Sequence, residues 1–218
     1  MPIIKLGIAL DYPVKWEKKR ILRDLIQNFY DAIGAENFEE CFHLDFHLAN
    51  SDQLRYNVEM KTDKSSFSYE WLCHIGSSTK TNCPGQFVGM YGEGFKICSL
   101  CLYRDYKCSI IMESQDWKIN VCTYNEIIDG QPTTMLGFQL QARKNGILTK
   151  LSLTNLNEND CKYLQEAKLE FFYPSNPLFK EKLYEDKTIT IHSRSAMSIP
   201  CSQNIKNPDQ MILRQIFR

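Results

Sequence analysis

The sequence has no excess of either charge and no long apolar run. Its 218 residues carry 26 Lys and Arg against 26 Asp and Glu, so no global field favours binding to nucleic acid or to an anionic membrane. No apolar stretch reaches the length of a membrane-spanning helix, and the first residues lack the basic start and sustained apolar segment of a signal peptide. These absences predict a cytoplasmic protein without a membrane partner or a nucleic-acid patch.

The sequence also lacks the cysteine spacing of a disulfide framework or a zinc site. It has nine cysteines, an odd number at irregular intervals, which favours free thiols in a reducing compartment. Cys98 and Cys101 form a Cys-x-x-Cys pair, but no second pair follows at zinc spacing. We interpret the two residues as small apolar side chains on the inner face of a helix.

Length and composition are those of an ordinary globular chain. A sequence of 218 residues with 43% hydrophobic and 24% charged residues is long enough to bury a substantial core. We find no internal repeat, no low-complexity linker and no clear boundary between two domains. The chain is therefore expected to form one domain, or one domain with an extension.

Glycine is concentrated in one segment, from Gly76 to Lys96, which reads GSSTKTNCPGQFVGMYGEGFK and holds five of the ten glycines between Gly76 and Gly94. The residues after Gly94 have helical apolar spacing. Glycines let successive backbone N–H groups point into one concavity, and a helix N-terminus adds partial positive charge, so a phosphate would fit there. The spacing matches neither the Walker loop nor the dinucleotide fingerprint. A surface loop remains an alternative interpretation.

An amphipathic helix is predicted from about Lys15 to Ile33, with Gly34 as its C-terminal cap. At about 100° per residue, Asp24, Asn28 and Asp31 share one narrow stripe opposite the apolar face. These three residues are poor helix formers, and their oxygens suit Mg²⁺ and a water nucleophile. The alternative is that they are simply the solvated side of the helix.

Several strands are predicted around these two segments. They cover 3–10, 41–49, 54–61, 108–113, 117–124, 135–142, 148–153 and 187–192. A short helix is predicted at 67–75, and 159–172 has helical composition. Asn145-Gly146 predicts that the strands on either side of it form a hairpin. His43, Asp45 and His47 lie on one strand face, where they would either bind a metal or, as is more common, face solvent.

Taken in order, these segments resemble the GHKL ATPase superfamily, the Bergerat-fold nucleotide-binding domains of gyrase, heat-shock chaperones, histidine kinases and MutL. The matching pieces are DLIQNFYDA in the first helix, IGSSTK, GMYGEGFK at the start of a helix, and strands that end in LTKLSL, within about residues 15 to 155. The resemblance implies an α+β fold, a two-layer α/β sandwich whose mixed, mostly antiparallel sheet carries helices on one face, with a glycine-rich ATP lid.

The resemblance also implies roles for individual residues. Asn28 corresponds to the Mg²⁺ ligand, and Asp24 takes the place of the Glu that is the general base in hydrolysing members. Asp24 has one methylene less, so hydrolysis is expected to be slow. The residues implied to bind ATP are Asn28, Asp31, Asp63, Ser77, Ser78, Thr79, Lys80, Gly89, Met90, Tyr91, Gly92, Glu93, Gly94, Phe95, Lys96 and Thr149.

One motif departs from the family pattern. The family has Asp-x-Gly-x-Gly, whose Asp reads the adenine amino group, whereas this chain has Thr62-Asp63-Lys64-Ser65-Ser66. Asp63 would read adenine after a shift of one residue, or the Thr62 hydroxyl would replace it more weakly. A third alternative is that adenine recognition is degraded.

The resulting interpretation is Mg²⁺-dependent ATP binding with slow hydrolysis and a lid that closes on the nucleotide. One alternative is an interaction module that keeps the GHKL fold without hydrolysis, and another is a protein-phosphotransfer kinase domain. Residues 1–160 are predicted to form the ATP-binding domain and residues 161–218 a helix-and-strand extension that packs on it or completes it. The superfamily also implies a homodimer or a larger protein partner.

Overall fold

A seven-stranded antiparallel sheet forms one layer of the protein and helices form the other. The structure is a computed structural model and describes residues 1–50, 53–73, 93–144, 146, 148–185, 189–194 and 213–216. The helices are α1 Lys18–Ile33, α2 Phe38–Cys41, α3 Gly94–Arg104 and α4 Glu158–Lys168. The strands are β1 Ile3–Ala9, β2 His43–Asn50, β3 Arg55–Thr62, β4 Ile110–Ser114, β5 Trp117–Ile128, β6 Gln131–Ala142, β7 Thr149–Leu156, β8 Phe179–Glu185, β9 Ile189–Arg194 and β10 Leu213–Ile216. The predicted two-layer α+β sandwich is confirmed.

The strand order of the main sheet is β1-β6-β5-β4-β7-β3-β2, and every pairing described is antiparallel. The predicted hairpin around Asn145-Gly146 is wrong, because β7 pairs with β3 and β4 and does not touch β6 in the sheet. The longest hairpin joins β5 to β6 through Asp129 and Gly130, which both have positive φ, at 48° and 75°. This is the backbone geometry of a two-residue hairpin turn.

One face of the sheet is apolar and faces the helices. Along β3, Val58 and Met60 are fully buried, and they pair in register with the buried Leu153 and Leu151 of β7. Alternation along a strand sends the intervening residues to the opposite face. The helices therefore cover a single face, and the core lies between that face and the helix layer.

The opposite face of the sheet carries a ladder of charged side chains. Successive ion pairs join Asp45 to Lys61 at 2.6 Å, Lys61 to Glu59 at 3.2 Å, Glu59 to Lys150 at 3.2 Å, Lys150 to Glu113 at 3.0 Å and Glu113 to Arg143 at 3.0 Å. Such partly exposed pairs each contribute roughly 1 kcal/mol or less. Asp45 thus contacts Lys61, and the structure shows no metal-binding group of His, Cys, Asp and Glu within its described ranges. His43 and His47 are exposed on this face.

Helix α1 lies at the centre of the helix layer. It packs against α3 and α4, and its apolar stripe, including Ile21, Leu22 and Ile26, is fully buried. Gly34 ends the helix, with a φ of 82° and its N–H donating to the Tyr30 carbonyl, as predicted. Tyr30 also donates a hydrogen bond of 2.7 Å from its hydroxyl to the carbonyl oxygen of Phe172, which fastens α1 to the segment after α4.

Two local predictions need correction or extension. Only a 3₁₀ turn, Tyr69–Leu72, stands where a helix over 67–75 was predicted, although residues 74 and 75 lie outside the described part. Beyond α4, the described strands β8, β9 and β10 form a small antiparallel sheet in the order β10-β9-β8. Helix α4 spans both sides of residue 160, and the division of the chain there stays a prediction. None of the helices in the described ranges is long and apolar enough to cross a membrane.

Candidate functional site

The polar stripe of α1 is not a uniform solvated face. Asn28 is exposed, the side chain of Asp24 is only 29% exposed, and Asp31 is buried, with 8% of its surface accessible. A helix that only faced water would leave all three open to solvent. The stripe is therefore partly covered: the Asp24 carboxylate is half-buried and the Asp31 carboxylate is buried.

Helix α3 lies beside this stripe and begins at Gly94, directly after the glycine-rich segment. Burial raises the pKa of the Cys98 thiol in α3, and the Asp24 carboxylate is the next largest cause. The charge of Asp24 therefore acts on a side chain of α3. Helix α1, which carries the polar stripe, packs against the helix that follows the glycines.

The first turn of α3 holds the other described residues of the glycine box. Glu93 is exposed and Gly94 is half-buried, whereas Phe95 packs against the core with its ring 6.0 Å from that of Phe138. Lys96 is buried, with 1% of its surface accessible. Burial lowers the pKa of Lys96, and the neighbouring Cys73 and Glu93 act in the opposite direction. The predicted counter-charge therefore lies inside the protein, at the base of this turn.

Further candidate residues lie at the paired ends of β3 and β7. Thr62 and Thr149 stand opposite each other in register, and both are buried. Asp63, one residue later, is exposed. Because side chains alternate along a strand, Thr62 shares the helix-side face of Val58 and Met60, whereas Asp63 lies beyond the last residue of β3. The structure thus brings Thr62 and Thr149 together and leaves Asp63 apart.

A relay of hydrogen bonds occupies the hydroxyl of Thr149. The Phe67 N–H donates to Ser114 Oγ at 3.2 Å, Ser114 and Thr149 hydroxyls are 2.8 Å apart, and Thr149 Oγ1 donates to the Ser65 carbonyl at 2.6 Å. A hydroxyl has one proton, so Thr149 must accept from Ser114. Thr149 can accept one more hydrogen bond here but has no proton left to donate.

Eight predicted ligand-binding residues lie outside the described part of the chain. They are the lid residues Ser77, Ser78, Thr79 and Lys80 and the glycine-box residues Gly89, Met90, Tyr91 and Gly92. Their predicted contacts with phosphate stay predictions.

Sequence reasoning missed two arginines and one serine at this site. Arg20 Nε and Arg23 Nη1 each lie 3.9 Å from a carboxylate oxygen of Asp24. Burial raises the pKa of Asp24, while these two guanidinium groups lower it less strongly. Arg20 could have been found, because residues four apart on a helix are neighbours. Ser114 could not, since it meets Thr149 across 35 positions of sequence.

Comparison with known proteins adds little. No family model matches the chain, and no curated protein matches it. Among solved structures, the ATPase region of Saccharomyces cerevisiae topoisomerase II is similar, with a TM-score of 0.39 and 12% sequence identity. The match covers 80% of this chain and 57% of that one. A similarity of this size does not establish a shared activity.

Proposed function

We propose that the protein binds ATP with Mg²⁺ and hydrolyses it slowly. The observation that supports the proposal is the packing of α1, which carries Asp24 and Asn28, against α3, the helix that follows the glycine-rich segment. A triphosphate held by that segment and by the N-terminus of α3 would lie next to the α1 stripe. Self-association driven by nucleotide is part of the same proposal.

The α1 stripe fits a hard cation that is held mainly by its substrate. Mg²⁺ keeps several waters and takes one or two protein oxygens plus phosphate oxygens. The exposed carboxamide of Asn28 offers one such oxygen, and the stripe carries no sulfur or imidazole donor. Asn28 would hold the ion. When bound, the ion neutralises charge that develops on the phosphates.

Asp24 is the group best placed to act as general base. Its carboxylate would accept a proton from a water molecule as the water oxygen bonds to the γ-phosphorus and the bond from that phosphorus to the bridging oxygen breaks, leaving ADP and phosphate. A base works best when its pKa lies near the working pH, and burial raises the pKa of Asp24 in that direction. The short side chain limits its reach, so we expect slow turnover.

Other residues would hold the nucleotide. The lid residues Ser77, Ser78, Thr79 and Lys80 and the glycine-box residues Gly89 to Phe95 are proposed to contact phosphates, mostly through backbone amides. Lys96 would contribute positive charge from the base of the first turn of α3, where its side chain is buried. Asp31 is buried and lies one turn beyond the exposed Asn28. We propose that it orients groups around the metal site.

The nucleotide base is proposed to lie near Thr62 and Thr149. Asp63 and Thr62 are the two candidates to accept the adenine amino proton, and Thr62 is the one that shares the helix-side face with Thr149. Thr62→Val removes only that hydroxyl, whereas Asp63→Ala removes the exposed carboxylate. We expect Thr62→Val to reduce the preference for ATP over GTP and Asp63→Ala to leave it unchanged, as measured by thermal-shift titration with both nucleotides. The reverse result would assign recognition of the adenine amino group to Asp63.

The altered adenine motif favours a second candidate function, a degenerate interaction module that keeps the fold without hydrolysing ATP. Asp63 is exposed and lies beyond the last residue of β3, and Thr149 already donates its only proton to the Ser65 carbonyl. Thermal-shift titration of the wild-type protein separates the two functions. Ligand at about a hundredfold over its Kd should add roughly 2.7 kcal/mol to the free energy of unfolding. We expect ATP and ADP to stabilise the protein, more strongly with Mg²⁺, and no response to either nucleotide would favour the module.

A further inference from the structure

Asp24 has two arginines beside it but no hydrogen bond to either. Arg20 Nε is 3.9 Å from Asp24 Oδ2, and Arg23 Nη1 is 3.9 Å from Asp24 Oδ1. Both distances exceed hydrogen-bond length. The carboxylate, whose side chain is 29% exposed, therefore lies near two positive charges without a hydrogen bond to either.

The two arginines are held in different ways. Arg23 donates to Glu170 at 2.7 Å and to Gln27 at 3.2 Å, so its guanidinium group is anchored to the segment after α4. Arg20 lies over the Trp16 ring, with its guanidinium carbon 4.0 Å from the ring centroid, and its side chain is 59% exposed. Stacking on an indole fixes the plane of a guanidinium group and leaves its N–H edge free.

Arg20, Asp24 and Asn28 are spaced four residues apart and form one row along α1. Each step advances about one turn, or roughly 5.4 Å. The row places Arg20 next to Asp24 on the side away from Asn28. This arrangement puts a fixed positive charge behind the carboxylate and the candidate metal ligand in front of it.

We propose that Arg20, stacked on Trp16, is a positioning residue that keeps the Asp24 carboxylate anionic and oriented when a polyphosphate approaches. The catalytic role of Arg20 rests on the proposed function, whereas the electrostatic coupling between Arg20 and Asp24 exists without nucleotide. A triphosphate would otherwise favour protonation of a half-buried carboxylate, because like charges disfavour the ionised form. Arg20 opposes that effect.

The other groups that face Asp24 do not supply this charge. Burial raises the pKa of Cys98 in α3, and burial raises the pKa of Tyr163 in α4 to about 12, so both are neutral near pH 7. Glu170 is paired with Arg23. Lys19 lies over the ring of Tyr163, 5.3 Å from its centroid. Of the two guanidinium groups, Arg20 is therefore the one whose charge is committed to no other carboxylate in the described part of the chain.

The test is a carbon NMR titration of the Asp24 carboxyl in the nucleotide-free protein. Arg20→Ala should move the titration midpoint to higher pH, because an adjacent cation favours the carboxylate form. Arg20→Lys should restore part of the shift, and Lys19→Ala, a neighbouring cation on the same helix, should leave the midpoint unchanged. An unchanged midpoint in Arg20→Ala would overturn the proposal whatever the protein does with ATP.

The rate of phosphate release provides the second readout. In Arg20→Ala the acidic limb of the pH–rate profile should move to higher pH by the same interval as the NMR midpoint, with a smaller change on the alkaline plateau. Equal loss at every pH would indicate a merely structural role and overturn the proposal. If the midpoint moves but the wild-type protein releases no phosphate, the hydrolysis proposal fails while the coupling of Arg20 to Asp24 is supported.

Discussion

Asp24→Asn should lower the rate of phosphate release by about a hundredfold to ten-thousandfold, the usual contribution of a general base. The carboxamide has nearly the same shape as the carboxylate but cannot accept the proton of the attacking water. Because nucleotide binding is assigned to other groups, the stabilisation by ATP with Mg²⁺ should remain. Single-turnover phosphate release and thermal-shift titration on the same preparation measure the two effects separately.

The same substitution should not reduce the stability of the protein. Burial raises the pKa of Asp24 in the folded state, so ionising this carboxyl group reduces the free energy of unfolding. The loss begins as pH rises past the pKa of Asp24 in the unfolded chain and is complete above its pKa in the folded state. A neutral Asn avoids that loss, and we expect Asp24→Asn to unfold at an equal or higher denaturant concentration at pH 7. Asp129→Asn, at the β5–β6 turn, is the matched control and should release phosphate at the wild-type rate. Equal rates in Asp24→Asn and the wild type would exclude Asp24 from the mechanism.

Phe38→Ala should reduce the free energy of unfolding by about 3 to 5 kcal/mol, the range for deleting a large buried aromatic side chain. Phe38 is fully buried and stacks on Phe42, with ring centroids 4.9 Å apart and planes 9° from parallel. Its ring also makes a T-shaped contact with Tyr30 in α1, with 5.1 Å between centroids. Removing it leaves a cavity under the end of the helix that carries the candidate site.

Urea unfolding at equilibrium measures this loss. Phe38→Leu, which keeps most of the apolar volume, should lose clearly less stability than Phe38→Ala. We also expect nucleotide binding to weaken in Phe38→Ala, because α1 is then less firmly held against the sheet. A loss below about 1 kcal/mol in Phe38→Ala would mean that the aromatic cluster is not the anchor of α1.

Local patterns in the sequence predicted most elements but not their arrangement. The apolar spacing of α1 and the alternation of β2 and β3 are set by near neighbours, and these elements appear within a few residues of the predicted ends. The pairing of β7 with β3 depends on contacts across 87 to 100 positions, and its pairing with β4 on contacts across 37 to 43, which Asn145-Gly146 could not reveal. A turn signal predicts a change of direction and does not specify which strand the chain joins next.

The sequence predicted which residues belong to the candidate site, and the structure shows which elements pack around them and how far each residue is buried. The stripe of Asp24, Asn28 and Asp31 followed from helix spacing alone. That Asp24 is half-buried beside α3 depends on packing between helices about 70 positions apart, which periodicity does not encode. The role of Thr62 was left open for the same reason, since only strand register shows that it stands opposite Thr149.

Amide NMR during titration with ATP and Mg²⁺ tests most directly whether a triphosphate lies between α1 and the start of α3. We expect the shift changes to concentrate in α1 from Asp24 to Asp31 and in the first turn of α3. The part of these changes that requires Mg²⁺ should disappear in Asn28→Ala. Shift changes confined to the charged face of the sheet around Glu59 and Lys150, with α1 unaffected, would contradict the proposed site.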